Sequence, residues 1–216
     1  DEYFTERHLY EILHRIKATN VLVIGPGLGS HRETYAFVRM LLEELSGCYE
    51  GKVVLDADGL NAFAGKMDLL SVILNRNGFG ERVILTPHPA ELSRLTDDSV
   101  GDICGRRLEA AREASERLNA AVLLKGASTV TACPDGRYTV NGTGNSGMAT
   151  GGSGDVLSGI IGCLALRETA YDSGRLGAFY HGYLGDMAAA HTGEAAMLAG
   201  DLIEEMKKQG DFIHVR

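Results

Sequence analysis

Four short apolar runs, each ending in glycine, proline or a polar group, constrain this chain more than any other feature. Val21–Ile24 breaks into Gly25-Pro26-Gly27-Leu28-Gly29, and Lys52–Leu55 into Asp56-Ala57-Asp58-Gly59-Leu60-Asn61. Arg82–Leu85 breaks into Thr86-Pro87-His88-Pro89, and Ala121–Leu124 into Lys125-Gly126-Ala127-Ser128-Thr129. Such a run, bounded by turn residues, reads as a strand buried on both faces, and those strands belong to parallel sheets covered by helices. Helical stripes separate the runs. Leu9, Ile12, Leu13 and Ile16 mark a helix from about Thr5 to Lys17; Tyr35, Val38, Leu41, Leu42 and Leu45 mark a second. Ile103, Leu108, Ala111 and Leu118 predict a single amphipathic helix from about Val100 to Leu118. The alternation predicts one α/β domain over residues 1–216, with a mainly parallel central sheet and helices on both faces.

Open sheets of this kind bind ligands beyond the carboxyl ends of their strands, so the groups that end each run are site candidates. Gly27 lies in a turn that matches neither a dinucleotide fingerprint nor a phosphate-binding loop of the Walker type. Asp56 and Asp58 point the same way if the strand persists; they could hold Mg²⁺ through water, hydrogen-bond a ribose, or cap a helix beginning near Leu60. Asn61 lies on the same rim. His88 is locked between two prolines. Lys125, followed by Gly126, Ala127, Ser128 and Thr129, reads either as a phosphate contact or as a lysine reaching off a strand. Val130–Cys133 and Tyr138–Val140 flank a Pro-Asp-Gly turn and form a hairpin.

The hairpin leads into Asn141-Gly142-Thr143-Gly144-Asn145-Ser146-Gly147-Met148-Ala149-Thr150-Gly151-Gly152-Ser153-Gly154-Asp155. An apolar helix follows from Val156. A glycine-rich loop running into a helix start presents bare N–H groups and the positive end of the macrodipole, which is an anion site. Asn141, Gly144, Asn145, Gly151, Gly152 and Gly154 are its candidate residues. Asp155 stands at the junction as helix cap, as base, or as both. Two more helices are expected over Leu176–Ala190 and Ala195–Met206, with Asp201 capping the second. Gly177, Ala178, Gly182, Gly185 and Ala188 would allow close helix packing.

The net charge of −8 over 216 residues argues against a general nucleic-acid binder, and no apolar run is long enough to span a bilayer. The four cysteines, Cys48, Cys104, Cys133 and Cys163, lack any paired spacing. They suggest reduced thiols in the cytoplasm and no zinc site.

In this order, GPGLG, VVLDADGLN, LTPHPAEL, LLKGASTV and NGTGNSGMATGGSGDVLSG resemble the ADP-dependent NAD(P)H-hydrate dehydratases of the ribokinase-like superfamily. The resemblance covers nearly the whole chain. It implies repair of NADH or NADPH hydrated at C6 (NADHX, NADPHX): ADP, or ATP in eukaryotic relatives, phosphorylates the hydroxyl, and loss of phosphate restores the ring and leaves AMP. It implies Asp155 as the base, Lys125, Gly126, Ala127, Ser128, Thr129 and Gly154 as nucleotide contacts, and Gly27, His88 and Asp155 as substrate contacts. It further implies Mg²⁺, a homo-oligomer (a tetramer in the family), and a cytoplasmic enzyme. Family members carry an additional amino-terminal βα portion that closes part of the substrate pocket; with twenty residues before Val21, that portion is expected to be missing here. The alternatives are a vitamin-precursor kinase of the same superfamily and a non-catalytic nucleotide-binding module.

Overall fold

The computed structural model describes residues 3–209. Four parallel strands, β1 (Val21–Ile24), β2 (Lys52–Leu55), β3 (Val83–Leu85) and β4 (Ala121–Leu124), lie side by side in chain order. Their register pairs Val23 with Val54, Val54 with Ile84, and Ile84 with Ala121. A hairpin, β5 (Val130–Ala132) and β6 (Tyr138–Val140), extends the sheet antiparallel beyond β4.

Sequential parallel strands that advance in one direction through right-handed crossovers place every connecting helix on one face. Those helices are α2 (Arg32–Cys48), α3 (Ala57–Asn61), α4 (Met67–Asn75), α5 (Pro89–Thr96), α6 (Val100–Gly105) and α7 (Arg107–Leu118), joined there by the earlier α1 (Leu9–Ile16). Alternating side chains divide the sheet between two cores, as strand geometry requires. Val53, Leu55, Val83, Leu85, Val122 and Leu124 pack with Leu42, Leu45, Leu74 and Leu118 on the crossover face. Val54, Ile84 and Leu123 face the other way. That face is covered when the chain returns as α8 (Ser153–Leu164) and α9 (Ala170–Thr192), which contribute Leu157, Ile161, Tyr171 and Ala178. Helix α10 (Ala199–Gln209) packs outside them through Leu202. Among the described residues, no helix is long and apolar enough to cross a membrane.

Three expectations are corrected. The helix expected over Val100–Leu118 is two, broken at Arg106 (φ −136°, ψ 48°) directly after Gly105. Helix α9 begins six residues before Leu176, because Thr169 caps it by accepting the Asp172 N–H. Helix α10 begins at Ala199, and Ala195–Ala196 lie in a separate 3-10 turn. Asp201 is inside the first turn of α10 and reaches back to accept the Leu198 N–H at 2.8 Å. The small residues of α9 also have divided tasks. A methyl on Gly177 would meet Ile161 of α8 at 2.6 Å, so this glycine does let helices approach. Methyls on Gly182 and Gly185 would strike Thr143 and Met148 instead; these two glycines seat the glycine-rich loop.

Candidate active site

The carboxyl ends of β2, β3 and β4 meet at one buried charge network. Lys125, the residue after β4, donates from Nζ to Asp56 Oδ1 at 2.6 Å, and Glu91 Oε2 lies 3.7 Å from the same nitrogen. Asp56 is 1% exposed, and its second oxygen accepts from Ser158 Oγ of α8 at 2.6 Å. A carboxylate taken this far out of water must be paired and fully hydrogen-bonded, and both oxygens are. Asp56 is therefore neither helix cap nor rim residue. It occupies the position before α3, but its side chain makes no cap bond. Its expected alignment with Asp58 fails too, because the strand ends at Leu55 and the chain turns at once into α3.

Glu91 ties the network to His88. Its Oε2 accepts the His88 N–H at 2.8 Å, while His88 Nδ1 accepts the N–H groups of Ala90 (3.1 Å) and Glu91 (3.3 Å). This reciprocal cap with Pro89 as first helical residue holds the imidazole at the start of α5. Arg107 braces the next strand end, donating to the carbonyl oxygens of Leu124 (3.0 Å) and Lys125 (3.2 Å). Its guanidinium lies where a side chain on Gly126 (φ +141°) would have to go.

On its open side the Lys125 ammonium faces helix α8: a methyl built on Gly154 would sit 3.7 Å from Nζ. Helix α8 begins after Gly152 (φ +87°), with no side chain capping it. An uncapped helix start with an ammonium directed at its first turn has the donors and the charge that a phosphate requires. Beneath it, Ser153 Oγ lies 3.3 Å from His181 Nε2. His181 is 8% exposed, and burial, with a smaller contribution from the Lys125 charge, pushes it down to about 4. The imidazole is therefore neutral near pH 7.

The glycine-rich loop forms the opposite wall. Asn141 Nδ2 donates to the carbonyls of Thr143 and Ala178, and Thr143 Oγ1 to that of Phe179. Not every loop amide is bare: Gly144 donates to Asp186 and Gly147 to Asn145 Oδ1. Between the walls lies a cavity of about 860 Å³, within the range of small-molecule sites.

The cavity gathers His88, Lys125, Gly126, Ala127, Ser128, Thr129, Asn141, Gly144, Asn145 and Gly154. It leaves out Gly27, Asp56, Asn61, Gly151, Gly152 and Asp155. Gly27 (φ +70°) stands in open space. Asp58 accepts the Gly29 N–H at 2.9 Å and so braces the turn after β1, while Asn61 is held by Arg94 of α5 (2.9 Å). Gly151 and Gly152 are exposed. Asp155 is the third residue of α8 rather than its cap, and it is open to solvent along one stripe with Gly159 and Cys163. Sequence reasoning missed Ser153, Ser158, Arg107, His181 and Asp186. A single legible signal for His181 was its place among glycines on a helix otherwise read as packing.

A family model described as NAD(P)H-hydrate dehydratase matches residues 2–208. The chain belongs to the NAD(P)H-hydrate dehydratase family. It is 43% identical over 194 residues to a bifunctional NAD(P)H-hydrate repair enzyme of Moorella thermoacetica, covering 89% of this chain and 35% of that protein. It is 37% identical over 185 residues to an ADP-dependent (S)-NAD(P)H-hydrate dehydratase of Neisseria meningitidis serogroup B, covering 85% and 60%. The chain thus spans between about a third and three fifths of the length of these dehydratase-family relatives. Among solved structures, it resembles the ADP/ATP-dependent NAD(P)H-hydrate dehydratase of Bacillus subtilis co-crystallised with ATP and Mg²⁺. That match has 28% identity and TM-score 0.67, over 88% of this chain and 64% of that one. A hydroxyethylthiazole kinase of Pyrococcus horikoshii, at 17% identity and TM-score 0.71 over 94% and 76%, shares the ribokinase-like fold.

Proposed function

We propose that this chain dehydrates (6S)-NADHX and NADPHX to NADH and NADPH at the expense of ADP. One juxtaposition supports the reading: the Lys125 ammonium faces Gly154 from inside the cavity, and the adjoining Asp155 carboxylate opens to solvent. A nucleotide in the cavity would rest its terminal phosphate against Lys125 and the start of α8. A hydrated nicotinamide arriving from the solvent side, past the open Gly27 turn, would meet Asp155. The carboxylate takes the proton of the C6 hydroxyl as its oxygen bonds to the β-phosphorus of ADP and the bond to AMP breaks. The phosphate then leaves with the C6 oxygen, a neighbouring ring carbon loses a proton, and the products are NAD(P)H, AMP and phosphate. Phosphoryl transfer asks mainly for positioning and charge stabilisation, which Lys125 and the helix start supply, while Asp155 supplies the base.

The Bacillus subtilis relative was co-crystallised with ATP and Mg²⁺. Among the described residues, no group of three or more His, Cys, Asp or Glu could hold a metal, and Asp56 and Glu91 are engaged with Lys125. The residues do not build a metal cage, so Mg²⁺ is assigned to the nucleotide, as its preference for phosphate and water allows. A cytoplasmic location and a tetramer belong to the same proposal; light scattering of the purified protein tests the latter.

The Asp155→Asn variant tests the assignment. It is expected to bind ADP as the parent does and to lose at least about a hundredfold in NADHX turnover, the usual yield of a positioned base. Unchanged turnover would remove Asp155 from the mechanism.

A further inference from the structure

The mechanism leaves unused one carboxylate that touches the glycine-rich loop twice. Asp186 of α9 accepts the Gly144 N–H on Oδ2 at 2.9 Å and the Asn145 side-chain amide on Oδ1 at 3.1 Å. Asn145 passes the restraint on: its own Oδ1 accepts the Gly147 N–H at 3.0 Å. Gly144 has φ +100°, a conformation that favours glycine and one that a free loop would hold only part of the time. One turn back on α9, Gly182 admits Thr143, and Gly185, next to Asp186, admits Met148. The bare helix surface lets the loop descend, and Asp186 fastens it there.

Resting on the nucleotide-binding reading above, we propose that Asp186 is a positioning residue. It fixes the loop wall of the ADP cavity through Gly144 and the Asn145 relay, and so sets nucleotide affinity without touching the reacting atoms. The charge also makes sense in place. Both oxygens are occupied by N–H donors that would otherwise need water. Hydrogen bonds to a charged acceptor are the stronger kind, suited to holding a loop before the ligand arrives.

The test is a reciprocal swap. In Asp186→Asn, the new amide opposes the Asn145 amide, so one of the two relay bonds is lost. In the double variant Asn145→Asp with Asp186→Asn, the amide introduced at position 186 can donate to the carboxylate introduced at position 145, whose other oxygen keeps the Gly147 N–H. Net charge is unchanged. For D186N the account expects ADP affinity by calorimetry, and KM for ADP, to weaken about tenfold or more, with kcat within about twofold. Faster amide exchange across 141–148 in the nucleotide-free protein should accompany this. The swap should recover the exchange protection; affinity is read from D186N alone, because the carboxylate introduced at position 145 faces the nucleotide cavity. If affinity and exchange are unchanged in D186N, or if the swap restores no exchange protection, the positioning role is wrong. If the parent binds no ADP while the exchange results hold, the dehydratase reading fails and the loop assignment stands.

Discussion

Replacing Asp56 by Asn perturbs the group on which the whole strand-end network converges. The substitution keeps the shape and one hydrogen-bonding oxygen but removes the charge opposite Lys125, whose side chain is 17% exposed. Breaking a buried pair by removing one partner costs about 3–5 kcal/mol. Glu91 remains at 3.7 Å from the ammonium, and Asn can still accept from Ser158 or Lys125, so the loss should fall near about 2–3 kcal/mol. For a chain of this size that corresponds to a melting temperature lower by roughly 5–10 °C. ADP affinity should also fall, because Lys125 is no longer held facing Gly154. Thermal unfolding by circular dichroism, with urea titration for the free energy and calorimetry for ADP, reads all three. Asp68→Asn, at an exposed pair with Arg117, serves as the control and should change nothing measurable. A melting temperature within about 1 °C of the parent, with unchanged ADP binding, would mean that the Asp56–Lys125 pair is neither desolvated nor positioning, and the reasoning about the network would be refuted.

Two further outcomes follow from the structure. His181 titrates near 4 when folded and near 6.5 when unfolded; the unfolded chain therefore takes up the proton first. Stability should be unaffected by this group above about pH 6.5 and should fall by up to about 1.4 kcal/mol per pH unit as pH drops from about 6.5 to about 4. His181→Gln should flatten that slope in urea titrations across the window; an unaltered slope would place the titration elsewhere. Gly25→Ala and Gly27→Ala should differ sharply. A methyl on Gly25 (φ +131°) would collide with the Asp56 carbonyl oxygen, whereas on Gly27 (φ +70°) it meets nothing within 4 Å. The second should cost only the left-handed backbone penalty of about 1–2 kcal/mol, the first severalfold more; equal losses in urea titration would contradict the close approach of the two strand ends.

The strands were legible because each is an uninterrupted apolar run closed by a turn residue. For the same reason, the residues just beyond them could be recognised as site candidates, and Lys125, His88 and Gly154 do line one cavity. The role of Asp56 was not legible, because an Asp after a strand and before a helix fits a Mg²⁺ ligand, a ribose contact or a helix cap equally well. Its actual partners are 69 residues away at Lys125 and 102 away at Ser158, and no local pattern announces them. Asp186 and His181 were invisible for a related reason: they sit on a helix whose small residues suggested helix packing, whereas their partners, Gly144 in the loop and Ser153 at the start of α8, lie 42 and 28 residues upstream. Two helix boundaries do carry local signals. Gly105 before Arg106 is a legible break, and Thr169 three residues before Asp172 is a legible start of the kind that a capping box provides.

The most direct measurement is recovery of the dihydronicotinamide absorbance when this polypeptide is incubated with Mg²⁺, ADP and (6S)-NADHX, with AMP quantified in the same samples. The account predicts one NADH and one AMP for each NADHX consumed. ADP bound with no NADH formed, or AMP formed with a phosphorylated product that keeps its phosphate, would contradict it.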